Sequence, residues 1–201
     1  GYPKSVDITV KVTPISLEGA EVTVKDLTYN GESQFPTVTV KLGETTLTKN
    51  TDFDVNATMQ TNAGSYTLTI SGNGNYTGTK TLEWKIKPMK IDHVMFSKSI
   101  SKTYDGTAKF ETQSGETYLT FYDAHMQPVS VPAEVYEISD VRFGTEDADH
   151  NFVPSAEAGN KAGIQFTITF KSNNYVLQAS DIDEPASALT YTQYHSANFT
   201  I

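Results

Sequence analysis

Residues 66–86 read YTLTISGNGNYTGTKTLEWKI, and this stretch determines which class of fold the chain can adopt. Apolar and polar residues alternate strictly in residues 66–70 and again in residues 82–86, on either side of the Gly- and Asn-rich segment 72–75. A period of two places alternate side chains on opposite faces of a β-strand, so each run predicts a half-buried strand. Many short strands separated by such turn-forming segments are typical of a β-sandwich or barrel.

The same alternation recurs along the chain, for example in IQFTITF at residues 164–170. The positions between the apolar residues hold mainly Thr, Lys, Glu and Gln, which suits a solvent-facing side of each strand. The best helical candidate is a single turn near residues 185–189. The sequence therefore predicts an all-β protein.

A nine-residue pattern occurs twice, as LTYNGESQF at residues 27–35 and as KTYDGTAKF at residues 102–110. Asn-Gly and Asp-Gly favour the type I′ turn, whose two central residues both need positive φ, so each motif predicts a tight reversal. Further positions match in the same order: Pro14 with Pro88, Tyr29 with Tyr104, Phe35 with Phe110, Phe53 with Tyr136, and Tyr76 with Tyr175. We therefore expect a tandem repeat.

The second copy is longer than the first in two intervals, residues 110–136 and residues 136–166. Loop closure entropy grows only logarithmically with length, so we expect long loop insertions on a retained frame of strands. The expected modules are residues 15–88 and residues 89–201. Residues 1–14 are expected to be the terminal strand of a preceding module or a linker, because VDITVKVTP resembles the end of the first copy, TLEWKIKP.

Several segments resemble the repeats of large bacterial surface proteins known as YDG or MBG modules. The segments are KTYDGTAKF at 102–110, LTYNGESQFPTVTVKLG at 27–43, DFDV at 52–55 and NAGSYTLTISGNGNYTGT at 62–79. The resemblance covers both copies and implies two tandem Ig-like β-sandwich modules, an extracellular or cell-surface location, and neighbouring repeat modules in the same chain. It implies no functional residues. The second copy departs from the pattern, with AGNKAG at 158–163 and NYVL at 174–177.

Strand spacing leaves the pairing of the strands open, because a pattern of period two does not say which strands are neighbours. A β-grasp fold and a single extended sheet are therefore the alternatives at the level of fold.

Composition makes several classes of partner improbable. The formal net charge is −9 and Arg142 is the single arginine, so no basic stripe is available to neutralise a nucleic acid backbone or anionic lipid. The absence of cysteine excludes disulfides, thiolate metal sites and a cysteine nucleophile. No apolar run approaches the length of a membrane span, so direct membrane insertion is not expected.

Neither catalytic motifs nor a cofactor motif can be recognised. None of the histidines lies in a catalytic or zinc-binding spacing; they are His93, His125, His150 and His195. No nucleophile elbow, HExxH motif or phosphate-binding glycine loop is present. We therefore predict that the chain is not an enzyme and that it has no catalytic residue and no cofactor.

Two acidic runs are the candidates for a metal site, EDADHN at residues 146–151 and DIDE at residues 181–184. Carboxylate and amide oxygens are calcium ligands, but neither run has the register or the glycine hinge of an EF-hand. A solvated charged loop is the expectation, and no metal site is predicted.

Aromatic residues raise the possibility of a carbohydrate site, because sugars pack on exposed rings and the chain has 11 Tyr and 10 Phe. Trp84 and Phe166 share the phase of neighbouring apolar residues and are expected in the core. Tyr29 and Tyr104 lie beside the repeated turn and are expected at structural corners. Any specific ligand is expected at the extensions of the second copy, which carry Tyr118, Tyr122, Tyr191 and Tyr194.

These observations predict a non-catalytic, adhesin-type module that acts as a stalk and a binding scaffold, with an unknown protein or glycan as ligand. The alternatives are a carbohydrate-binding module and an accessory domain of a polysaccharide-degrading surface system.

Overall fold

The computed structural model describes residues 4–180 and 182–201, apart from the side chains of residues 195–198. Residues 1–3 of the predicted first segment, Asp181 of the second acidic run and the side chain of His195 therefore lie outside the described residues. The chain divides into two units, residues 1–87 (unit 1) and residues 88–201 (unit 2).

The described residues form strands and connecting turns, with one short 3-10 turn at Ala133–Val135 as the helical element among them. The prediction of an all-β protein is confirmed. No helix in residues 4–180 or 182–201 is long and apolar enough to cross a membrane.

The described residues of unit 1, 4–87, form nine strands in three sheets. They are β1 (Ile15–Ser16), β2 (Glu21–Lys25), β3 (Leu27–Thr28), β4 (Thr37–Leu42), β5 (Thr45–Thr46), β6 (Phe53–Ala57), β7 (Gly64–Gly72), β8 (Tyr76–Thr77) and β9 (Thr79–Lys87). One sheet has the order β3-β9-β7-β6, a second has the order β2-β4-β5, and β1 pairs with β8. The two runs in the opening stretch lie in β7 and β9, which pair antiparallel from Gly64 opposite Ile86 to Ser71 opposite Thr79.

The core of unit 1 explains the alternation in β7 and β9. Leu68, Ile70, Trp84 and Ile86 are all at most 1% exposed, whereas the residues between them are exposed or half-buried. Val40 of β4 belongs to the same cluster, so the two larger sheets enclose a common core. Burying one such side chain contributes about 1.5–3 kcal/mol, which makes this pair of strands a large part of the stability of unit 1.

In unit 2, the residues that the structure describes form ten strands in three sheets. They are β10 (Met89–Ile91), β11 (His93–Phe96), β12 (Ile100–Ser101), β13 (Leu119–Tyr122), β14 (Pro128–Val129), β15 (Tyr136–Glu146), β16 (Phe152–Pro154), β17 (Asn160–Phe170), β18 (Tyr175–Leu177) and β19 (Ala188–Thr200). The sheet orders are β12-β19-β17-β15-β16 and β11-β13-β14, and β10 pairs with β18.

Aromatic rings connect the two larger sheets of unit 2. The ring of Phe96 in β11 lies 5.4 Å from that of Phe166 in β17 and 6.0 Å from that of Phe199 in β19. Phe121 in β13 packs on Phe170 in β17 at 6.3 Å. Because each ring buries a large apolar area, these contacts fix the two sheets around one core.

The strands pair in the same order in the two units. In each unit a short strand after a proline pairs parallel with a short strand that begins at a tyrosine: Ile15 lies opposite Tyr76, and Met89 lies opposite Tyr175. The next short strand, β3 or β12, pairs parallel with the last strand, β9 or β19. The remaining strands follow the same sequence of neighbours, with β16 added at the edge in unit 2.

The longer interval between Tyr136 and Phe166 is mainly strand, which differs from the long loop that we expected. It contains β15, which has 11 residues against five in β6, and the added edge strand β16. An antiparallel hairpin pairs the backbone groups of an insertion, whereas a loop leaves them to water.

The repeated nine-residue motif forms a turn, but the predicted type I′ hairpin is wrong. Gly31 and Gly106 have φ of 81° and 78°, whereas neither Asn30 nor Asp105 has positive φ. The strands flanking the first motif, β3 and β4, pair with other strands and not with each other. A positive φ at the second central residue alone is typical of a type II turn.

The Asn or Asp side chain explains why the turn needs this residue type. The Oδ1 atom of Asn30 accepts a hydrogen bond from Glu32 N at 2.9 Å, and Asp105 Oδ1 accepts one from Thr107 N at 2.9 Å. Such Asx turns stabilise a reversal without a paired strand. In unit 2, the ammonium group of Lys102 also lies 2.6 Å from Asp105 Oδ1. This hydrogen bond, together with those from Thr107, lowers the pKa of Asp105 to about 2.

One further expectation is wrong, and one of the alternatives at the level of fold is excluded. The helical turn near residues 185–189 is absent, because Ala186 forms a β-bridge with Leu177 and β19 begins at Ala188. The single extended sheet is also excluded, because the described strands of each unit are divided among three sheets.

Gly72 provides a test of the packing in unit 1. A Cβ at Gly72 would lie 2.5 Å from Thr77 N and 2.7 Å from Thr77 Cα, whereas a Cβ at Gly19 would meet no atom within 4 Å. We expect Gly72→Ala to lower the free energy of unfolding of unit 1 by about 1–3 kcal/mol, because backbone atoms must shift. Gly19→Ala is the matched control and should change it by less than about 0.5 kcal/mol.

The measurement is urea unfolding followed by fluorescence of Trp84, the single tryptophan, which is buried in unit 1. Equal midpoints for the two alanine variants would contradict the close approach of Gly72 to Thr77.

Candidate functional site

The histidines do not come together in the described structure. His93 begins β11, His125 lies in the turn before β14, and His150 lies in the turn between β15 and β16; all three are exposed. His150 Nδ1 is 2.7 Å from Glu146 Oε1, and the His150 side chain is 85% exposed. The contact between His150 and Glu146 therefore lies within one exposed turn.

The first acidic run forms the turn between β15 and β16, and the carboxylate of Asp147 accepts hydrogen bonds from the backbone of this turn. Asp147 Oδ1 accepts hydrogen bonds from Asp149 N at 2.9 Å and Asn151 N at 2.8 Å. The bond from Asn151 N is the main cause that lowers the pKa of Asp147. Within the part of the chain that the structure describes, no group of three or more His, Cys, Asp or Glu side chains is arranged to hold a metal ion.

The four tyrosines predicted near a ligand belong to strands or to the core. Tyr118 is 3% exposed, its hydroxyl accepts a hydrogen bond from Gln113 N at 2.8 Å, and its ring lies 5.6 Å from that of Phe96. Tyr118 is therefore a core residue of unit 2, which does not suit the ligand contact expected at this extension. Tyr122 ends β13, and Tyr191 and Tyr194 are half-buried residues of β19.

The two tyrosines of the repeated motif differ in their surroundings. Tyr29 is half-buried and packs against the core of unit 1, whereas Tyr104 is 62% exposed. A structural role beside the turn therefore fits Tyr29 better than Tyr104.

Tyr191 lies in a groove of unit 2, which we call the β11–β19 groove, with a volume of about 420 Å³. One wall is residues 93–95 of β11 together with Asp92, the residue before this strand, and the opposite wall is residues 189–192 of β19. Ala179, Ser180 and Ile182 of the segment after β18, together with Met126, complete the described lining.

A side-chain amide joins the two walls next to the groove. Phe96 N donates a hydrogen bond to Gln193 Oε1 at 2.7 Å, and Gln193 Nε2 donates one to Phe96 O at 2.8 Å. The amide therefore pairs with the backbone of β11 as a neighbouring strand would. Sequence reasoning missed Gln193, although a signal existed: it is a polar residue in the same strand phase as Leu189 and Tyr191.

Beside this contact, two strand edges face each other across the groove. Phe170 N donates a hydrogen bond to Ser187 O at 2.7 Å. The odd-numbered residues of β19 therefore direct their backbone N–H and C=O groups toward β17. Because the direction alternates along a strand, the backbone groups of Thr190 and Thr192 point to the opposite edge. Phe96 N points to β19, so Val94 N does as well.

This arrangement can bind a ligand in two ways. Backbone groups at a strand edge can pair with an extended peptide. A tyrosine ring next to carboxylate and hydroxyl groups can pack on a sugar and bond its hydroxyls, and the lining contains Tyr191, Asp92 and Ser180.

No family model, no curated protein and no solved structure matches the chain. The resemblance to YDG or MBG repeats therefore stays a prediction that depends on the sequence motifs.

We expect Gln193→Ala to lower the free energy of unfolding of unit 2 by about 2–4 kcal/mol, because the buried N–H and C=O groups of Phe96 each lose a partner. Gln165→Ala is the matched control: its amide donates to Thr192 Oγ1 at 3.1 Å between exposed residues, so its effect should stay within about 0.5 kcal/mol.

Hydrogen exchange of the β17 amides measures the stability of unit 2 in both variants. Similar exchange rates in the two variants would show that the amide of Gln193 does not join the two sheets.

Proposed function

We propose that this chain is a non-catalytic stalk and binding scaffold of a bacterial surface protein, made of two Ig-like β-sandwich modules in tandem. The observation that carries the proposal is the common order of strand pairing in unit 1 and unit 2. Two units with the same order of strand pairing in a single chain favour a role in which similar modules are joined end to end. Neighbouring modules of the same kind are its expected partners within the chain.

The parallel pairing of the last strand of each unit with a short strand supports a mechanical role. In unit 1, β3 runs parallel to β9, and Tyr29 N donates to Lys87 O at 2.8 Å; in unit 2, Lys102 N donates to Thr200 O at 3.0 Å. Tension applied at the two ends of a unit pulls such parallel strands past each other. The hydrogen bonds of the pair are then loaded together rather than one after another, which raises the force needed for unfolding.

The binding part of the proposal is assigned to the β11–β19 groove. It lies in the unit with the extended strands, and it combines open strand edges with an aromatic ring and polar groups. A protein segment that adds to the strand edge is the first candidate ligand. A glycan is the second candidate, and Tyr191 in the groove is the observation that favours it.

Single-molecule pulling tests the stalk role. We expect two unfolding events, with extensions of up to about 260 Å for residues 15–87 and about 410 Å for residues 88–201 at ~3.6 Å per residue. Tyr29→Pro removes the N–H donor to Lys87 and should lower the unfolding force of unit 1 alone. Tyr29→Phe keeps that donor and is the control. An unchanged force in Tyr29→Pro would argue against the mechanical role.

A glycan array separates the carbohydrate alternative from the scaffold with a protein ligand. If a glycan is the ligand, Tyr191→Ala should reduce binding at least about tenfold, because an aromatic ring contributes about 1–2 kcal/mol or more to such a contact. Tyr104→Ala changes an exposed ring outside the groove and should leave binding unchanged. Absence of binding across a broad array, or equal loss in both variants, would remove the glycan alternative.

A further inference from the structure

Two aromatic rings lie directly over glycines on one face of the five-stranded sheet of unit 2. Phe152 of β16 and Tyr194 of β19 are both half-buried. A Cβ at Gly144 would lie 2.5 Å from Cε2 of Phe152. In the same way, a Cβ at Gly163 would lie 2.7 Å from Cδ1 of Tyr194. Each ring therefore fills the space that a side chain in place of the glycine would need.

The two rings approach each other across the middle of the sheet. Gly144 of β15 lies opposite Gly163 of β17, which in turn lies opposite Tyr194 of β19. The ring centroids of Phe152 and Tyr194 are 6.5 Å apart. Phe143 precedes Gly144 and is fully buried in the core, so the glycines and the rings lie on the opposite, outer face of the sheet. We call the two rings the aromatic platform.

A polar row crosses the same face next to the aromatic platform. Arg142 lies opposite Gln165, and Gln165 lies opposite Thr192. Arg142 and Gln165 are each two residues from a glycine under the rings, so they share its face at a distance of about 7 Å along the strands. The amide of Gln165 donates a hydrogen bond to Thr192 Oγ1 at 3.1 Å. The row thus presents a guanidinium, an amide and a hydroxyl group beside the rings.

The guanidinium of Arg142 has a like charge beside it. Lys109 lies directly opposite Arg142 in an antiparallel β-bridge, and both side chains are exposed. Lys109 pairs with Glu111 at 2.6 Å, whereas no carboxylate of the described chain forms an ion pair with Arg142. Glu111 raises the pKa of Lys109, and Arg142 acts in the opposite direction, as a nearby cation does. Because like charges directly opposite each other destabilise a sheet, an anion bound to Arg142 would offset this repulsion.

The two cations border a shallow groove at the edge of the aromatic platform. The groove has a volume of about 340 Å³, and its lining includes Arg142, Lys109, Asp140 and Pro154. Pro154 lies opposite Gly144, so the groove opens beside the rings. Asp140 reduces the positive potential of the groove, but it does not pair with the guanidinium. Within the described chain, the N–H donors of Arg142 therefore remain available to a ligand.

A ring over a glycine can also serve the sheet alone, because it covers backbone that the glycine leaves open. That role accounts for Phe152 and Tyr194, but it does not account for Arg142, whose charge opposes that of Lys109. Rings, hydrogen-bonding groups and an available guanidinium on one face together fit a sugar that carries an acid group. The apolar side of a sugar packs on aromatic rings, and the guanidinium fork fits the two oxygens of a carboxylate.

We propose that the outer face of this sheet binds a glycan with carboxylate groups, whose sugar rings pack on the aromatic platform and whose carboxylate binds Arg142. Glu146 lies opposite Phe152, at the side of the platform away from Arg142, and by repulsion orients the carboxylate toward Arg142. Gln165 and Thr192 bind hydroxyl groups of the sugar beside the rings.

This site goes beyond the function proposed above, which places binding in the β11–β19 groove. Phe152, Tyr194 and Arg142 do not line that groove. The two sites can therefore be tested separately.

Isothermal titration calorimetry of the 201-residue chain tests the class of ligand with three probes. Tetragalacturonate has a carboxylate on every sugar, its methyl ester has the same sugars without the charges, and tetraglutamate has carboxylates without sugar rings. We expect tetragalacturonate to bind at least about tenfold more tightly than either of the others, because it alone offers both a carboxylate and a sugar ring.

Arg142→Gln tests the guanidinium, because it removes the charge and the fork of donors. We expect it to weaken the binding of tetragalacturonate at least about tenfold. Lys90→Gln is the matched control, since Lys90 is an exposed lysine of β10 in another sheet of unit 2. It removes the same charge and should change the affinity by less than about twofold.

Phe152→Leu tests the aromatic platform, because it keeps an apolar side chain over Gly144 but removes the ring. We expect binding of tetragalacturonate to weaken at least about fivefold. Phe35→Leu, which changes a half-buried ring of unit 1, is the matched control. Hydrogen exchange of the β17 amides shows whether the sheet is retained, and Arg142→Gln, which changes an exposed side chain, decides the test if Phe152→Leu unfolds unit 2.

No binding of tetragalacturonate, equal binding of tetragalacturonate and tetraglutamate, or unchanged affinity in Arg142→Gln would overturn the proposal. Loss of binding in Tyr191→Ala but not in Arg142→Gln would assign the glycan to the β11–β19 groove and would also overturn it. The stalk role would be unaffected by any of these results, because the pulling experiment tests the strand pairing of unit 1.

Discussion

The long antiparallel pair formed by β7 and β9 in unit 1, and by β17 and β19 in unit 2, is the interaction on which each unit depends. These strands carry one continuous apolar face, and that face must be covered by a second layer of structure. The smaller sheet covers it in each unit: β2-β4-β5 supplies Val40 in unit 1, and β11-β13-β14 supplies Phe96 and Phe121 in unit 2. The parallel strands β3 and β12 then join the edge of the pair near the end of each unit.

The differences between the units follow from lengthening this pair. In unit 2, β19 has 13 residues but pairs with β12 at two positions in the part of the chain that the structure describes, so much of its second edge is not paired with a described strand. The side-chain amide of Gln193 pairs with the backbone of Phe96 at one point of that edge, and the β11–β19 groove lies next to it. The strand β19, which is longer than its counterpart β9 in unit 1, thus forms one wall of the groove. Unit 1, with its nine-residue β9, shows the same frame in a shorter form.

Sequence reasoning was most reliable where the physical cause is local. The alternation at residues 66–70 and 82–86 predicted strands with buried Leu68, Ile70, Trp84 and Ile86, because burial of alternate side chains acts on each strand separately. It failed where two local conformations compete. Asn-Gly and Asp-Gly suit both a type I′ hairpin and an Asx turn. The Asx turn forms because the flanking strands pair with other strands and not with each other. The buried position of Tyr118 was missed for a related reason, since its partners Phe96 and Phe110 come from other segments.

Local pattern was enough to predict that this chain is all-β and which faces of its long strands are buried, since both depend on a period of two between neighbouring residues. The tertiary structure alone decided which strands are neighbours, that the longer interval in unit 2 becomes strand, and where the β11–β19 groove lies. Gln193 and Phe96 are 97 positions apart, and no local pattern encodes their contact. The physical reason is that a strand can satisfy its backbone hydrogen bonds with any partner, so the choice among partners is made by the packing of the whole core.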